Sequence, residues 1–591
     1  MAGFLPMTRD LHTAGRLHAD QASDNWWREA VIYQIYPKSW VDGNGDGIGD
    51  LKGVRQNLPY LAELGVDAIW FSPFFVGPQK DGGYDVADYR DIDPIFGTVD
   101  EAEKMIQEAH ALGIKILVDI VPNHTSNEHK FFKAALATPP GSPEWDRYHV
   151  LPGKGKNREL PPNKWNSIFY GSAWTQIEYN GEKTGYWYLH IFDPAQPDVN
   201  WNHPDIKEEF EKTLRFWFDR GVDGFRIDVA HGMVKAEGYP DGEEEEILDN
   251  DGGLIDVTPR PYFDQPGVHE IYKEWRKIAN EYTPQRIYVG EIWVSTEERL
   301  AKYIREDELH TGFNFGYLSA QWHAEEIRHN IENSLRFNNA IGAPTTWVTE
   351  NHDVFRSVTR WGRNWPSKHN NLEWPKDHPW SKHYFTTAEE HALGRKRARA
   401  GMLMMLALPG SAYIWQGQEL ALEEVRDLPD SERQDPEFIN SHGEWIGRDG
   451  CRVPIPWTKA GKSFGFGPEN GEKTWLTQPR HWGELSVEAQ QSDPDSMLSL
   501  TRSALMLRRT MDELGSGDLR WRDDLTNGNP QVIAFERISH DGGTGMVSIT
   551  NLAAEPLTIH ATSLLLASQP EIHLEHGSLT LPQDTAVWVL L

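Results

Sequence analysis

The feature of this sequence that most constrains its fold is an eightfold alternation of short apolar runs with longer amphipathic segments. The apolar runs are rich in β-branched and aromatic residues, which favours strands, and the segments between them, such as 100–112 and 204–220, have helical spacing. The eight predicted strands are 30–36, 68–74, 114–121, 222–229, 286–293, 311–317, 345–353 and 412–419. Eight consecutive strand–helix units predict an α/β fold of the (β/α)8 TIM barrel type.

Two segments, one between predicted strands and one after the last strand, are too long for a simple crossover. The segment 125–200, rich in Pro, Gly and aromatic residues, is interpreted as a domain inserted after the third strand, and 421–478 as an irregular insertion after the eighth. The barrel then takes 1–124 and 201–515, with a late helix at 496–513. Within 516–591, short alternating runs at 531–537, 545–551, 557–561 and 586–591 predict a C-terminal antiparallel β domain of the sandwich type.

Composition excludes several classes of partner. The 591 residues include 58 Lys plus Arg and 89 Asp plus Glu, and the resulting net charge of −31 argues against nucleic acid or an anionic membrane surface. A single cysteine, Cys451, excludes an internal disulfide and a Cys-rich metal site. No stretch approaches the ~18 consecutive apolar residues that a membrane helix needs. The first 25 residues lack a secretory pattern, so a cytoplasmic location is expected. The sequence leaves the oligomeric state open.

Charged and polar residues collect where the predicted strands end, which is the end of a TIM barrel that carries the active site. The third strand ends in Asp119, Asn123 and His124, and the fourth in Arg226, Asp228 and His231. The fifth ends in Glu291, and the seventh in His352 and Asp353. Four strands therefore deliver carboxylates and histidines to one face.

This pattern suits glycosyl transfer by two carboxyl groups. Arg226 and Asp228 are two residues apart, so their side chains leave the same side of the strand, and the arginine is expected to lower the pKa of Asp228 and keep it ionised. An ionised aspartate is a suitable nucleophile, and Glu291 beside Trp293 is a suitable proton donor. Each carboxylate alone could equally be a cap or an ion-pair partner. Metal binding by His124 and His352 is a further alternative, although no HExxH spacing supports it.

Several motifs in order resemble those of a known family. The segments DIVPNH (119–124), GFRIDVAH (224–231), GEIW (290–293) and ENHD (350–353) are similar to the four sequence regions of the α-amylase family, glycoside hydrolase family 13. QPDVN (196–200), the opening WWREAVIYQIYPKSW, DGGYDVADY (81–89) and RDGCRVPIPW (448–457) resemble its oligo-1,6-glucosidase and α-glucosidase branch. The resemblance runs from about residue 26 to residue 457.

The resemblance implies a role for each matching residue. Asp228 would be the nucleophile, Glu291 the general acid/base and Asp353 the third carboxylate, which grips sugar hydroxyls. Arg226 would orient Asp228, and the bound sugar would be held by His124, His352, Asp81, Arg448 and Tyr84. Closure of the pocket by Asp81 and Arg448 would make the enzyme exo-acting, and the α configuration would be retained. Phe169 and Phe192 are added as substrate contacts from their position in the inserted domain.

The segment 42–50 places oxygen-bearing residues at every second position, with Gly47 able to make a sharp turn. This is the first part of the calcium-loop spacing D-x-N-x-D-G, although Gly53 stands where the closing glutamate would be. The resembled branch commonly has a cation here, so a structural Ca²⁺ is expected, with Mg²⁺ and an ion-free turn as alternatives. The expected ligands are Asp42, Asn44, Asp46, the Ile48 carbonyl and Asp50.

The leading hypothesis is a retaining exo-acting α-glucosidase that acts on short α-glucosides, with some transglucosylation. A trehalose- or sucrose-rearranging isomerase or transferase is the alternative. It is weakened because the charged RLDRD-type loop that is associated with sucrose isomerases is not found in this sequence. A non-catalytic partner protein on this fold would need a membrane anchor and would lack the carboxylates. Val229 matches relatives that favour α-1,6 bonds, but Ala230 and His231 depart from the usual Ile-Asn, which favours α-1,4 or mixed specificity.

Overall fold

The computed structural model describes residues 25–242, 245–248, 254–364, 386–515, 518–538 and 545–591, with the backbone alone at 245–248 and 254–258. Within these ranges an eight-stranded parallel sheet forms the centre of the molecule. Its strands are β1 Val31–Ile35, β2 Ala68–Phe71, β3 Lys115–Ile120, β4 Gly224–Ile227, β5 Ile287–Gly290, β6 Thr311–Gly312, β7 Thr346–Val348 and β8 Ser411–Trp415. All eight predicted strands are present.

The sheet closes on itself. Its order is β6-β5-β4-β3-β2-β1-β8-β7, and every neighbouring pair is parallel. A parallel bridge between Phe313 and Thr346 then joins the β6 end of the sheet to β7. The prediction of a TIM barrel is confirmed, and the strand ends with the predicted carboxylates share one rim.

Strand β6 is shorter than the predicted 311–317. It stops at Gly312, and the chain turns into the helix Phe315–Ser319. Asn314 begins this helix, because its side-chain oxygen accepts a hydrogen bond from the Tyr317 amide at 2.9 Å.

The larger helices surround the barrel, and two of them follow directly from the sequence. The predicted helix 100–112 is observed at Val99–Ala111 and begins with a capping box between Thr98 and Glu101. The predicted helix 204–220 is observed at Pro204–Phe218, where proline occupies the first turn. The other helices of twelve or more residues are Leu51–Leu64, Val268–Ala279, Ala324–Ala340, Ala388–Ala407 and Met497–Thr510. Short helices lie at Lys130–Leu136, Glu297–Tyr303, Ser357–Arg360, Pro436–Asn440, Val487–Gln490 and Asp512–Gly515.

The segment between β3 and β4 has its own sheet. Three antiparallel strands, Val150–Pro152, Glu182–Leu189 and Trp174–Tyr179, pair in that order. Two hairpins outside it, Phe75–Val76 with Asp88–Ile92 and Glu245–Leu248 with Leu254–Thr258, were not among the predicted elements.

The C-terminal segment forms two antiparallel sheets over one apolar core. The five-stranded sheet contains, in order, Asp518–Trp521, Val532–Ile538, Val547–Asn551, Thr585–Leu590 and Ser563–Ala567, and the two-stranded sheet pairs Leu557–His560 with Ser578–Leu581. Four of these strands match the predicted runs. The domain contacts the helix Ala388–Ala407 of the barrel, where Asp584 accepts from Arg397 Nε at 3.1 Å. No helix in the described ranges is both long and apolar enough to cross a bilayer.

Candidate active site

A cavity of about 300 Å³ opens at the rim where the barrel strands end. Ten of the eleven residues predicted for catalysis and substrate binding line it, and the eleventh, Arg226, lies directly beneath. The lining residues are Asp81, Tyr84, His124, Ile168, Phe169, Phe192, Asp228, Val229, His231, Phe263, Glu291, Trp293, His352, Asp353 and Arg448.

The floor of the cavity is organised by one buried guanidinium. Strand β4 carries Arg226, and Asp228 follows the end of the strand on the same side. Arg226 Nη1 lies 2.7 Å from Asp228 Oδ1 and 3.0 Å from Asp119 Oδ1, and its Nη2 lies 2.8 Å from Glu291 Oε2. Three strand ends are thus joined through a single cation.

Burial and neighbouring charges shift the pKa of two of the carboxylates that face Arg226. Burial, with the nearby Glu291 carboxylate, raises the pKa of Asp228 well above its usual value against the opposing effect of Arg226. Burial also raises the pKa of Asp119 to about 7. Arg226 does lower the pKa of Asp228, as expected, but desolvation and a second carboxylate outweigh the arginine, so the net shift is upward.

Glu291 is held from two other directions. The Val229 amide donates to Oε2 at 2.9 Å, and the indole Nε1 of Trp293 donates to Oε1 at 3.0 Å. Val229 has a φ of +44°, which is strained for a β-branched residue and turns its amide toward the carboxylate. Trp293 is 43% exposed at the cavity mouth and stacks on Phe315 with a centroid separation of 3.8 Å.

Arg448 closes the opposite wall. Its Nη1 lies 2.9 Å from Asp353 and its Nη2 lies 2.9 Å from Asp81, so the two carboxylates are bridged. Arg452 adds a second cation, 3.1 Å from Asp353. Burial works to raise the pKa of Asp353, but the two arginines outweigh it and hold the pKa below its usual value. Burial raises the pKa of Asp81 to about 6, although Arg448 opposes the rise.

Tyr84 and His352 form the wall between these two clusters. The Tyr84 hydroxyl donates to Asp119 Oδ2 at 3.0 Å and lies 2.6 Å from His352 Nε2, and the two rings are stacked. Gln34 Nε2 lies 2.7 Å from His352 Nδ1. Burial lowers the pKa of His352 well below its usual value, so the ring is neutral.

His124 lines the cavity from the end of β3. Its Nδ1 lies 3.2 Å from the Asn123 amide nitrogen, and its Nε2 lies 3.1 Å from the Tyr84 carbonyl oxygen. Burial lowers its pKa to about 4, so it is also neutral. Within the described ranges, no three His, Cys, Asp or Glu side chains form a group suited to a metal ion.

The inserted domain supplies an aromatic side to the cavity. Phe192 lies against His124 at 5.3 Å between centroids and against Phe169 at 5.5 Å. The Arg448 guanidinium lies 5.0 Å from the Phe169 ring. Both phenylalanines chosen from their position alone therefore reach the site.

Several residues of the site were not foreseen. Arg452 had a signal, since it stands four residues after Arg448 in the same motif, and Trp293 was considered only as a shield for Glu291. Ile168 and Phe263 carried no local signal that separated them from core residues. Gln196, which donates to Asp81 at 3.0 Å, stood within a recognised motif, but nothing in the sequence assigned it this partner.

The predicted cation loop folds as a compact turn. Asp42 accepts hydrogen bonds from three main-chain amides of the loop, Asn44 and Asp46 bond to each other, and Asp50 caps the helix that follows. The loop's own amides thus occupy most of the oxygens that an ion would need. The calcium site, including the Ile48 carbonyl, stays a prediction.

The family model of the alpha amylase catalytic domain matches residues 34–517 of this chain. The oligo-1,6-glucosidase of Parageobacillus thermoglucosidasius is 33% identical over 87% of this chain and 90% of its own. A probable alpha-glucosidase of Rhizobium meliloti (strain 1021) is 34% identical over 94% of this chain and 96% of its own.

Solved structures of related enzymes are also similar to this chain over almost its whole length. The alpha-glucosyl transfer enzyme XgtA superposes with a TM-score of 0.78 at 31% identity, covering 95% of this chain and 99% of the other. The trehalulose synthase MutB from Pseudomonas mesoacidophila MX-45 has a TM-score of 0.78 at 28% identity over 95% and 99% of the two chains. The sequence profile, the relatives and the geometry agree, and the chain belongs to the α-amylase family of glycoside hydrolases, family 13.

Proposed function

We propose that this glycoside hydrolase is a retaining, exo-acting α-glucosidase that releases α-glucose from the non-reducing end of short α-glucosides. The observation that carries the proposal is the pairing of Asp228 and Glu291 on one guanidinium, in a cavity whose far wall is closed by Arg448. The names of the relatives, oligo-1,6-glucosidase and alpha-glucosidase, support the same substrate class.

The shared guanidinium favours a double-displacement mechanism. Retaining enzymes need carboxyl groups about 5–5.5 Å apart, whereas inverting enzymes leave a wider gap for water. Asp228 and Glu291 each lie within hydrogen-bond distance of Arg226, which keeps them close together. The first step requires Asp228 as the ionised carboxylate and Glu291 as the protonated acid.

In the first step, an Asp228 oxygen bonds to the anomeric carbon while the glycosidic bond breaks and Glu291 gives its proton to the departing oxygen. This leaves a β-linked glucosyl ester on Asp228. In the second step, Glu291 takes a proton from water as the water oxygen attacks the anomeric carbon and the ester breaks. Two inversions restore the α configuration, and Glu291 regains its proton.

The remaining residues bind the glucose unit. Arg448 and Asp81 would lie at the non-reducing end of the bound glucose, and their ion pair would block a longer chain there and make cleavage exo. Asp353, His352 and His124 face the cavity with oxygen and nitrogen atoms suited to sugar hydroxyls. Tyr84, Phe169 and Phe192 provide ring surfaces for the C–H faces of the sugar.

A rearranging isomerase or transferase is the second candidate, because trehalulose synthase and a glucosyl transfer enzyme share the fold over almost the whole chain. Both activities use the same glucosyl ester and differ in whether water or a sugar attacks it. Chromatography of products from maltose, isomaltose and sucrose separates them: free glucose supports hydrolysis, and an isomeric disaccharide supports rearrangement. The ratio of the maltose and isomaltose rates gives the linkage preference.

Azide rescue tests the mechanism. In a Glu291→Ala variant, azide should replace water in the second step and attack from the α face, giving α-glucosyl azide. In an Asp228→Ala variant, azide should replace the carboxylate on the β face and give β-glucosyl azide. NMR of the two products distinguishes them, and each variant serves as the control for the other. The same anomer from both variants, or β-glucose as the first product of the wild-type enzyme, would contradict the assignment.

A further inference from the structure

The insertion after β8 carries a buried carboxylate that does not line the cavity but holds a residue that does. Asp435 is 1% exposed. Its Oδ2 accepts from the Arg448 main-chain amide at 2.9 Å and from Arg448 Nε at 2.6 Å. Both bonds come from the same residue, so Asp435 fixes the Arg448 side chain relative to its own backbone.

The geometry of Arg448 shows what this contact accomplishes. Each nitrogen of its guanidinium faces a different carboxylate: Nε faces Asp435, Nη1 faces Asp353 and Nη2 faces Asp81. Because a guanidinium is planar and rigid, fixing Nε sets the direction of both terminal nitrogens. Without the Nε contact, the side chain could turn about its long axis and release one of the two cavity carboxylates.

Asp435 also lies near a second arginine. Arg452 lies 3.9 Å from the same Oδ2 and 3.1 Å from Asp353, so two arginines converge on Asp353. Asp435 adds a third negative charge, beside Asp81 and Asp353, that offsets the repulsion between the two arginines. The buried carboxylate therefore supports the approach of both cations to one side of the cavity.

We propose that Asp435 is a positioning residue for substrate recognition: by fixing Arg448, it sets the affinity of the site for the hydroxyl groups at the non-reducing end of glucose. This inference rests on the proposed exo-glucosidase function. It goes beyond that function by placing part of the specificity in a residue outside the cavity.

Asp435 has a second, structural contact that the test must separate. Its Oδ1 accepts from the Glu437 amide at 2.8 Å and begins the short helix Pro436–Asn440. Asparagine can still accept this helix-cap bond through its one carbonyl oxygen, but its amide nitrogen then faces the two Arg448 donors and cannot accept from them. Asp435→Asn therefore removes the electrostatic contact while it keeps the helix cap.

The experiment compares two substrates that differ in one hydroxyl group, α-glucosyl fluoride and its 4-deoxy analogue. For Asp435→Asn we expect kcat/KM on the parent fluoride to fall about 10- to 100-fold, mostly through KM, as for the loss of a charge-assisted contact. On the 4-deoxy analogue, which lacks the group at the non-reducing end, we expect a fall of less than about threefold. Asp449→Asn is the matched control, because Asp449 lies in the same loop and accepts from the Gln434 and Asp435 amides. Any loss in the control should be equal for both substrates.

Equal losses on both substrates in Asp435→Asn would overturn the proposal, as would no loss on either. A crystal structure of the variant decides the matter independently of activity. Loss of the Arg448 bridge between Asp81 and Asp353 supports the proposal, and an unchanged bridge refutes it. If the wild-type enzyme released no glucose from the fluoride, the proposed function would fail, and the variant structure would still decide whether Asp435 positions Arg448.

Discussion

Replacing Arg226 by lysine tests whether the site depends on one guanidinium that spans three carboxylates. Lysine keeps the positive charge but concentrates it at one nitrogen on a differently shaped side chain. We expect the ammonium to stay near Asp119 and Asp228, which both face Nη1 in the wild type, and to lose Glu291, which faces Nη2. The proposed nucleophile and the proposed acid/base would then no longer share a partner.

The magnitude follows from the strength of the bond between Arg226 and Glu291. A hydrogen bond to a charged group contributes about 1.5–3 kcal/mol. Removing this bond alone should therefore lower kcat/KM by roughly 10- to 150-fold.

Arg226→Met removes the cation altogether and should destabilise the fold by about 3–5 kcal/mol. Burial already raises the pKa of Asp119 to about 7. The folded state therefore favours the protonated carboxyl, and its contribution to the free energy of unfolding is present at low pH and is lost as pH rises through 7. The methionine variant should lose more of its stability between pH 5 and pH 8 than the wild type does.

The assay is steady-state hydrolysis of an aryl α-glucoside from pH 5 to pH 8, with the melting temperature measured in the same buffers. Arg360→Lys is the matched control, because Arg360 is also buried but donates to the carbonyls of Thr349 and Phe355 rather than to the catalytic carboxylates. The control should lower the melting temperature without a matching loss of kcat/KM. An Arg226→Lys enzyme within about threefold of the wild type, or equal activity losses in both lysine variants, would refute the reasoning.

Three further outcomes are expected. Because burial raises the pKa of Asp81 to about 6, protonation below that pH should weaken its ion pair with Arg448 and lower kcat/KM. In Asp81→Asn, kcat/KM should be low throughout pH 5–8, and an unchanged fall of kcat/KM on the acidic side in that variant would contradict this role. Burial raises the pKa of Glu424 to about 7, so its contribution to stability is present at low pH and is lost as pH rises through 7, by roughly 3 kcal/mol at most. Between pH 5 and pH 8, the free energy of unfolding measured with urea should therefore fall less in Glu424→Gln than in the wild type. An equal fall in both proteins would contradict this prediction. Chelator treatment followed by added Ca²⁺ should lower and then restore the melting temperature if the 42–50 loop binds the ion; metal-free protein with an unchanged melting temperature would exclude a stabilising ion there.

The sequence predicted those parts of the molecule that depend on local pattern. The eight barrel strands and their polar ends followed from alternating composition and from motifs of a few residues. The C-terminal strands Asp518–Trp521 and Ser563–Ala567 were missed because neither has a clear buried face, and a register shift interrupts the second.

Features that depend on distant contacts could not be predicted. The direction of the pKa shift of Asp228 depends on Glu291, 63 residues later, and on burial by the whole barrel, whereas the sequence showed only the neighbouring arginine. The contact of Gln196 with Asp81 spans 115 positions, and Asp435 lies in an irregular insertion where no periodicity marks a buried side. Motifs therefore identified the groups of the site, but only packing determines their protonation and orientation.

The bridge made by Arg448 has a consequence for the order in which the site is completed during synthesis. Asp81 leaves the ribosome 367 residues before Arg448, and Asp353 leaves it 95 residues before. Until the insertion after β8 has emerged, both carboxylates lack the cation that joins them. A nascent chain that stops before that point could form much of the barrel but would lack a finished glucose pocket. Activity should therefore appear late, after the last barrel strand and its insertion have docked, even though the proposed catalytic pair emerges much earlier.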